Sequence, residues 1–255
     1  MSKIYVTGDF HGSLDIKKIT NKNWPEQKEL TKNDVLIQLG DFGLIWGNTK
    51  EEQYWLDWLG DKPFTFAFIE GNHENYHLLN QLPITEKWGG KVRIIHTNKD
   101  NNHPIYQLMR GEVYNINGKK ILTLGGADSQ DKAYRTENIN WWKEEAWSYS
   151  ETDYIISQVI KHNGKFDYVL SHTCPNSVGV EYLYIINKNV HSKTIEYYEG
   201  KCNCSVGNAM QVLIDKFNLT CKQWHYGHWH DDWYCIKGVI EYFCHYKKKP
   251  YLLGE

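Results

Sequence analysis

The chain has 255 residues, 41% of them hydrophobic and 24% charged, with a formal net charge of −2. That length and apolar content are enough for one full core, and the near-neutral balance gives no footprint for a long nucleic-acid track, while leaving room for a local basic strip. No stretch approaches the ~18 consecutive apolar residues of a membrane helix, and no secretory-type apolar region opens the chain, so a single domain over residues 1–255 and a cytoplasmic location are expected.

In chain order, three short apolar runs each end in a glycine-bearing turn. Ile4 to Thr7 runs into "GDFHG", Val35 to Leu39 into "GDFG", and Phe64 to Ile69 into "EGNHE". The amphipathic segments between them set a β-α-β-α rhythm. "KEEQYWLDWLG" at 50–60 predicts a helix with Tyr54, Trp55, Trp58 and Leu59 on one stripe and Gly60 as its stop, and "ENYHLLNQL" a shorter one. Gly8-Asp9, Gly40-Asp41 and Gly71-Asn72 are almost evenly spaced, yet the intervening sequences do not match. The spacing therefore reflects the length of a β-α unit rather than a repeat.

After residue 90 the pattern changes. Asn117-Gly118 between two alternating runs predicts a hairpin, so antiparallel strands join the parallel ones. "SETDYIISQVIKHNGK" (150–165) predicts a helix capped by Ser150 and stopped by Gly164, leading to a strand "FDYVLSH" with His172 at its end. Residues 205–219 repeat this plan and lead to "CKQWHYGHWH", and a last hairpin is expected to turn at Lys237-Gly238. The six cysteines, Cys174, Cys202, Cys204, Cys221, Cys235 and Cys244, lack paired Cys-x-x-Cys spacing and read as free thiols, with Cys202-Asn203-Cys204 read as loop ahead of a soft-metal pair.

Asp9, His11, Asp41, Asn72, His172, His228 and His230 each lie directly after a predicted strand, where ligands bind in open α/β sheets. An unpaired buried carboxylate is costly, so both aspartates need a cationic partner. Residues two apart on an extended segment face one way, which pairs Asp9 with His11 and His228 with His230. Seven O and N donors exceed one tetrahedral ion and suit two divalent ions with a bridging carboxylate. A thiolate-free donor set favours manganese, with Fe, Zn, Co or Ni as alternatives, over calcium.

"GDFHG", "GDFG", "GNHE" (71–74), "SHTCP" (171–175) and "GHWH" (227–230) together resemble the calcineurin-like metallophosphoesterase signature. The resemblance implies an α/β fold of mixed α+β type, a four-layer α-β-β-α sandwich of two mixed sheets. It also implies that Asp9, His11 and His230 hold one ion, that Asn72, His172 and His228 hold the other, and that Asp41 bridges. His73 would face the substrate as a catalytic residue, and a metal-bridging hydroxide would attack phosphorus in line. Protein Ser/Thr phosphatases of this superfamily carry Gly-Asp-x-x-Asp-Arg-Gly where this chain has "GDFGLIW", so Leu44 and Ile45 argue against a phosphoprotein substrate. The stretch, with "FIEGNHENY" and "LMRG", resembles general bacterial and bacteriophage metallophosphoesterases instead.

Residues 125–142 read as the specificity element. Asp128, Ser129, Asp131 and Arg135 follow a predicted strand, and Arg135 is a catalytic candidate because a guanidinium grips phosphate bidentately. Its competing reading is a surface salt bridge to Glu137, Glu144 or Glu145. Trp141 and Trp142 are read as core ahead of base-stacking residues, and the rims at 97–105 and 176–204 as controls on access. The expected function is a phosphodiesterase or phosphatase acting on a small anionic phosphate ester of nucleotide type. A nuclease for short single strands and a catalytically silent metal-binding scaffold are the alternatives. No oligomeric interface is read.

Overall fold

In the computed structural model, residues 2–97, 103–187 and 204–254 are described. The first sheet holds β1 (Ile4–Thr7), β2 (Val35–Leu39), β3 (Thr65–Ile69), β4 (Ile84–Lys87), β5 (Gly90–His96), β6 (Ile105–Leu108) and β13 (Tyr251–Leu252), in the order β13-β1-β2-β3-β6-β5-β4. The second holds β7 (Val113–Ile116), β8 (Lys119–Leu124), β9 (Tyr168–Ser171), β10 (Gln223–Tyr226), β11 (Trp233–Lys237) and β12 (Ile240–Cys244), in the order β11-β12-β10-β9-β8-β7. Both sheets are parallel at the centre and antiparallel at the edges.

The two-residue period of each strand sorts its side chains into layers. Ile4, Val6, Val35, Ile37, Leu39, Ala67 and Ile69 face inward and meet Ile116, Ile121, Tyr168 and Leu170 of the second sheet. On the outer face of the first sheet Tyr5, Leu36, Phe66 and Phe68 pack against α1 (Lys50–Gly60), the end of the short α2 (Tyr76–Leu79), and 3-10 turns at Ile16–Ile19 and Pro25–Glu29. Leu122, Leu124, Val169, Trp224 and Tyr226 do the same against α3 (Tyr149–Lys161), α4 (Asn176–Asn187) and α5 (Ser205–Phe217). The result is the expected four-layer α-β-β-α arrangement.

Several local expectations shift. The cap of α3 is Ser148, whose Oγ accepts from Glu151 N while the Glu151 carboxylate accepts from Ser148 N. Of the serines available, Ser148 has Glu at the third position, which closes a reciprocal box; Ser150 lies inside the helix. In α1 the buried residues are Glu52, Leu56, Leu59 and Gly60, with Trp55 and Trp58 half-buried, whereas Tyr54 is exposed. Glu52 is buried because its carboxylate accepts from Trp46 N, Gly47 N and Thr49 N, which turns the stripe away from Tyr54. Lys237 pairs with Ile240, so the last hairpin turns at Gly238-Val239, one residue later than expected.

The Asn117-Gly118 hairpin forms, with both residues at positive φ of 54° and 76°, as a two-residue primed turn requires. Residues 176–187 of the expected 176–204 rim are helical. Its remainder through 203, Cys202 included, and 98–102 of the other rim lie outside the described residues. Cys174, Cys204, Cys221, Cys235 and Cys244 are free thiols.

Candidate metal centre

The C-terminal ends of β1, β2, β3, β9 and β10 meet along one edge of the sandwich, and the turns after them carry the expected donors. Each Gly-Asp-Phe has three separate tasks. The phenylalanines anchor the turns, since Phe10 and Phe42 are fully buried and stack on Phe66 and Phe68 at 5.8 and 4.1 Å. The glycines leave room for groups of the other sheet, and a Cβ on Gly8 would strike the His245 carbonyl. A Cβ on Gly40, whose φ is +92°, would strike the His172 ring, and one on Gly227 would strike Asp9 Oδ1. The aspartate is then the only one of the three that points into the centre.

His11, Asp41, His228 and His230 all adopt left-handed backbone, with φ of 48°, 53°, 67° and 50°. Non-glycine residues pay roughly 1–3 kcal/mol each for such strained conformations, which cluster where function requires them.

One ligand atom from each of Asp9, His11, Asp41 and His230 lies within 4.8 Å of the others, a grouping that could hold a metal ion. His11 Nε2 is 3.3 Å from Asp41 Oδ2, and His230 Nε2 is 3.2 Å from Asp9 Oδ2. On the other side of Asp41, His172 Nε2 is 3.2 Å from Oδ1 and 3.0 Å from Asn72 Oδ1. His172 Nδ1 lies 2.7 Å from the Leu39 carbonyl, which can only accept, so Nδ1 carries the proton and a neutral ring turns its Nε2 lone pair toward two oxygens.

The Asn72 amide is fixed in the matching sense. Its Nδ2 donates to Ser129 Oγ at 3.1 Å, while Ser129 donates from Oγ to Glu145 Oε2 at 2.6 Å and from N to Glu145 Oε1 at 2.8 Å. Asn72 Oδ1, Asp41 Oδ1 and His172 Nε2 are therefore three acceptors turned on one another. Such a set is satisfied by a proton on His172 or by a cation. Without a metal the proton serves. Burial opposes charging the ring, but the Asp41 carboxylate outweighs it and lifts His172 to about 9. Burial likewise opposes ionising Asp41, and His172, His11 and His73 outweigh it, holding the carboxyl well below the usual range. His228, whose ring sits 5.0 Å from that of His172, is pushed down to about 4 by burial and then by His172, and is neutral with a lone pair to give. Its backbone N donates to both Asp9 oxygens at 3.1 and 3.2 Å. These donors fit divalent ions of the hard to borderline class.

His73 stands at the rim, with its backbone N donating to Asp41 Oδ1 at 2.8 Å and its ring 5.9 Å from that of His11. Burial, and Arg135 beside it, lower its basicity. Arg135 is held by Asp131, with Nε to Oδ1 and Nη2 to Oδ2 both at 2.8 Å, while Nη1 reaches Asn140 O at 3.0 Å and His73 Nδ1 at 3.1 Å. Its ion-pair partner is Asp131 and none of the three glutamates weighed from sequence. Asp128 accepts from Ser205 Oγ and Val206 N, tying this segment to the start of α5. Trp142 is buried edge-on to Trp46 at 5.2 Å, and packs as core.

Two residues gained no role from sequence reasoning alone. Glu74 ties the second and third turns together, its carboxylate accepting from Phe42 N at 2.7 Å and more weakly from Gly43 N and Gly71 N at 3.4 Å. Burial and the Asp41 charge push it up to about 8. Glu145 entered only as a partner for Arg135. The "GNHE" string held the signal for Glu74, whereas Glu145 is far in sequence from every donor it serves.

The calcineurin-like phosphoesterase family profile matches residues 2–232. No curated protein matches the chain significantly. Among solved structures, phosphopantetheinyl hydrolase (PptH) from Mycobacterium tuberculosis is similar at 13% identity and a TM-score of 0.45, with 96% of this chain and 90% of the other covered. GAP50, the anchor in the inner membrane complex of Plasmodium, is similar at 11% identity and a TM-score of 0.48, with coverage of 98% and 77%.

Proposed function

The chain belongs to the calcineurin-like phosphoesterase family and is a phosphoric ester hydrolase, and from that premise we propose that it acts through two divalent cations on a small anionic ester. Asp9, His11 and His230 would hold one ion, Asn72, His172 and His228 the other, with Asp41 shared between them and manganese the preferred metal. The observation that carries this reading is the acceptor-only face of Asp41 Oδ1, Asn72 Oδ1 and His172 Nε2, set against a second group that uses Asp41 Oδ2. When bound, such ions supply a water acidic enough to ionise near neutral pH and positive charge for the phosphoryl oxygens.

The protein's own part is placement. Five strand ends set the donors, the Ser129–Glu145 pair aims the Asn72 carbonyl, and His73 lies at the rim where a substrate oxygen would arrive. No helix among the described residues is long and apolar enough to cross a membrane.

Calorimetric titration with Mn²⁺, run beside hydrolysis of a chromogenic phosphodiester and its monoester, tests the reading. Two equivalents bound, and turnover that needs them, is the expected result. A single equivalent at saturation, or no metal-dependent cleavage of either ester, overturns it.

A further inference from the structure

We propose that Arg135, clamped by Asp131, fixes His73 as its Nε2–H tautomer, so that His73 meets the reacting phosphate as a neutral hydrogen-bond donor rather than as a proton donor. The inference rests on the hydrolase reading above and concerns Arg135 as a positioning residue.

The reasoning needs only donor chemistry. A guanidinium N–H can donate and never accept. At 3.1 Å from Arg135 Nη1, His73 Nδ1 must therefore present its lone pair, and a neutral ring holds its one proton on Nε2. A second proton would sit on Nδ1, pointing at a cation, and would break the contact. Nε2 has no hydrogen-bond partner among the described residues. The guanidinium is not free to pivot, because both carboxylate oxygens of Asp131 take its Nε and Nη2 face at 2.8 Å and Asn140 O takes Nη1 at 3.0 Å. Four of its five N–H groups are thus engaged, so gripping a phosphate bidentately would require at least one of these acceptors to leave. The second motif's carboxylate, Asp41, takes the backbone N of His73 at 2.8 Å, and Leu44 is buried in the outer core, so among the described residues the hydrogen bond to the His73 ring is the one from Arg135.

A chemical consequence follows. In the hydrolytic step water supplies the new P–O bond and sheds its proton to solvent. The bond to the leaving group breaks with its electron pair on the leaving oxygen, which departs as an anion steadied by Nε2–H. His73 keeps its proton, because losing it would create an imidazolate. The substrates favoured are those whose leaving oxygen is stable as an anion, phosphoanhydrides and aryl esters, over simple alkyl esters.

The test joins spectroscopy and kinetics on the full-length protein. Two-bond ¹H–¹⁵N correlations of ¹⁵N-histidine-labelled, Zn²⁺-loaded protein, with His73 assigned against His73→Ala, should show the Nε2–H form. Arg135→Met should populate the Nδ1–H form with its melting curve unchanged, and lower kcat on 4-nitrophenyl esters by roughly 10–10²-fold while KM stays within about 3-fold. Asp131→Asn should shift both readouts the same way by less, and wild-type rates should fall steeply from nitrophenyl through phenyl to alkyl esters. A wild-type Nδ1–H or doubly protonated ring overturns the proposal. So does an Arg135→Met enzyme that keeps kcat and raises KM tenfold or more, the mark of a guanidinium that grips substrate. If the wild type cleaves no ester, the hydrolase reading falls while the tautomer measurement still judges the Arg135 contact.

Discussion

Two regions build this site by opposite means. The turns after β1, β2 and β3 place Asp9, Asp41 and Asn72 directly on strand ends, with buried phenylalanines beneath two of them and glycines cut to fit the facing sheet. Residues 125–147 reach the same edge through a largely irregular segment with only short 3-10 turns, and touch the centre through the hydrogen bond Ser129 accepts from Asn72 and the one Arg135 donates to His73. The first region creates donors; the second turns Asn72 and His73 to face the right way. Rigid scaffolds fix the chemistry, and loops beside them adjust it.

The sharpest way to break this contrast is at Asp41, which faces both groups of donors. Asp41→Asn should lower metal-dependent hydrolysis by on the order of 10³-fold or more, because charge stabilisation of several kcal/mol is lost; a variant retaining a tenth of the rate would refute the shared role. Phe42→Ala comes next. Removing a fully buried ring should cost about 3–5 kcal/mol of stability in denaturant melts and weaken metal binding with it. If metal affinity were untouched, the anchoring account of the Gly-Asp-Phe turns would fail.

In the adjusting region the effect should be smaller and of another kind. Ser129→Ala releases the Asn72 amide and should weaken binding of one ion by roughly 10–100-fold while leaving the other in place, which titration calorimetry resolves as a split between two formerly similar steps. Last, Ser148→Ala removes the cap of α3 and should cost about 1 kcal/mol with unchanged metal stoichiometry, which would separate the stability of the segment's helix from its influence on the centre.

Much of this was legible in the sequence, for identifiable reasons. Strands β1, β2, β3 and β9 announce themselves as largely apolar runs because they are buried on both faces, and each donor follows its run immediately, whereas β10 (Gln223–Tyr226) carries Gln223 and His225 and was placed by the helix before it. The four layers followed from the resemblance of the motifs rather than from periodicity. What escaped was whatever depends on contacts between distant residues. Among the described residues, Glu145 and Asn72 are joined through Ser129. The partner of Arg135 is Asp131, at i and i+4 across a 3-10 turn, whereas only Glu137, Glu144 and Glu145 are read from sequence as its salt-bridge partners. Glu52 turned the face of α1 because its carboxylate closes three backbone N–H groups, a demand that hydrophobic spacing does not express.

The strand ends that meet at the centre come from both sheets: Asp9, Asp41 and Asn72 from one, His172, His228 and His230 from the other. Any ion held there is also a rivet across the sandwich, fastening two layers that otherwise adhere through their apolar inner faces. Ligands that bind only the native state stabilise it in proportion to the logarithm of their concentration. The lifetime of this protein against proteolysis should therefore lengthen as free divalent metal rises, making its abundance a readout of metal supply before any substrate is turned over.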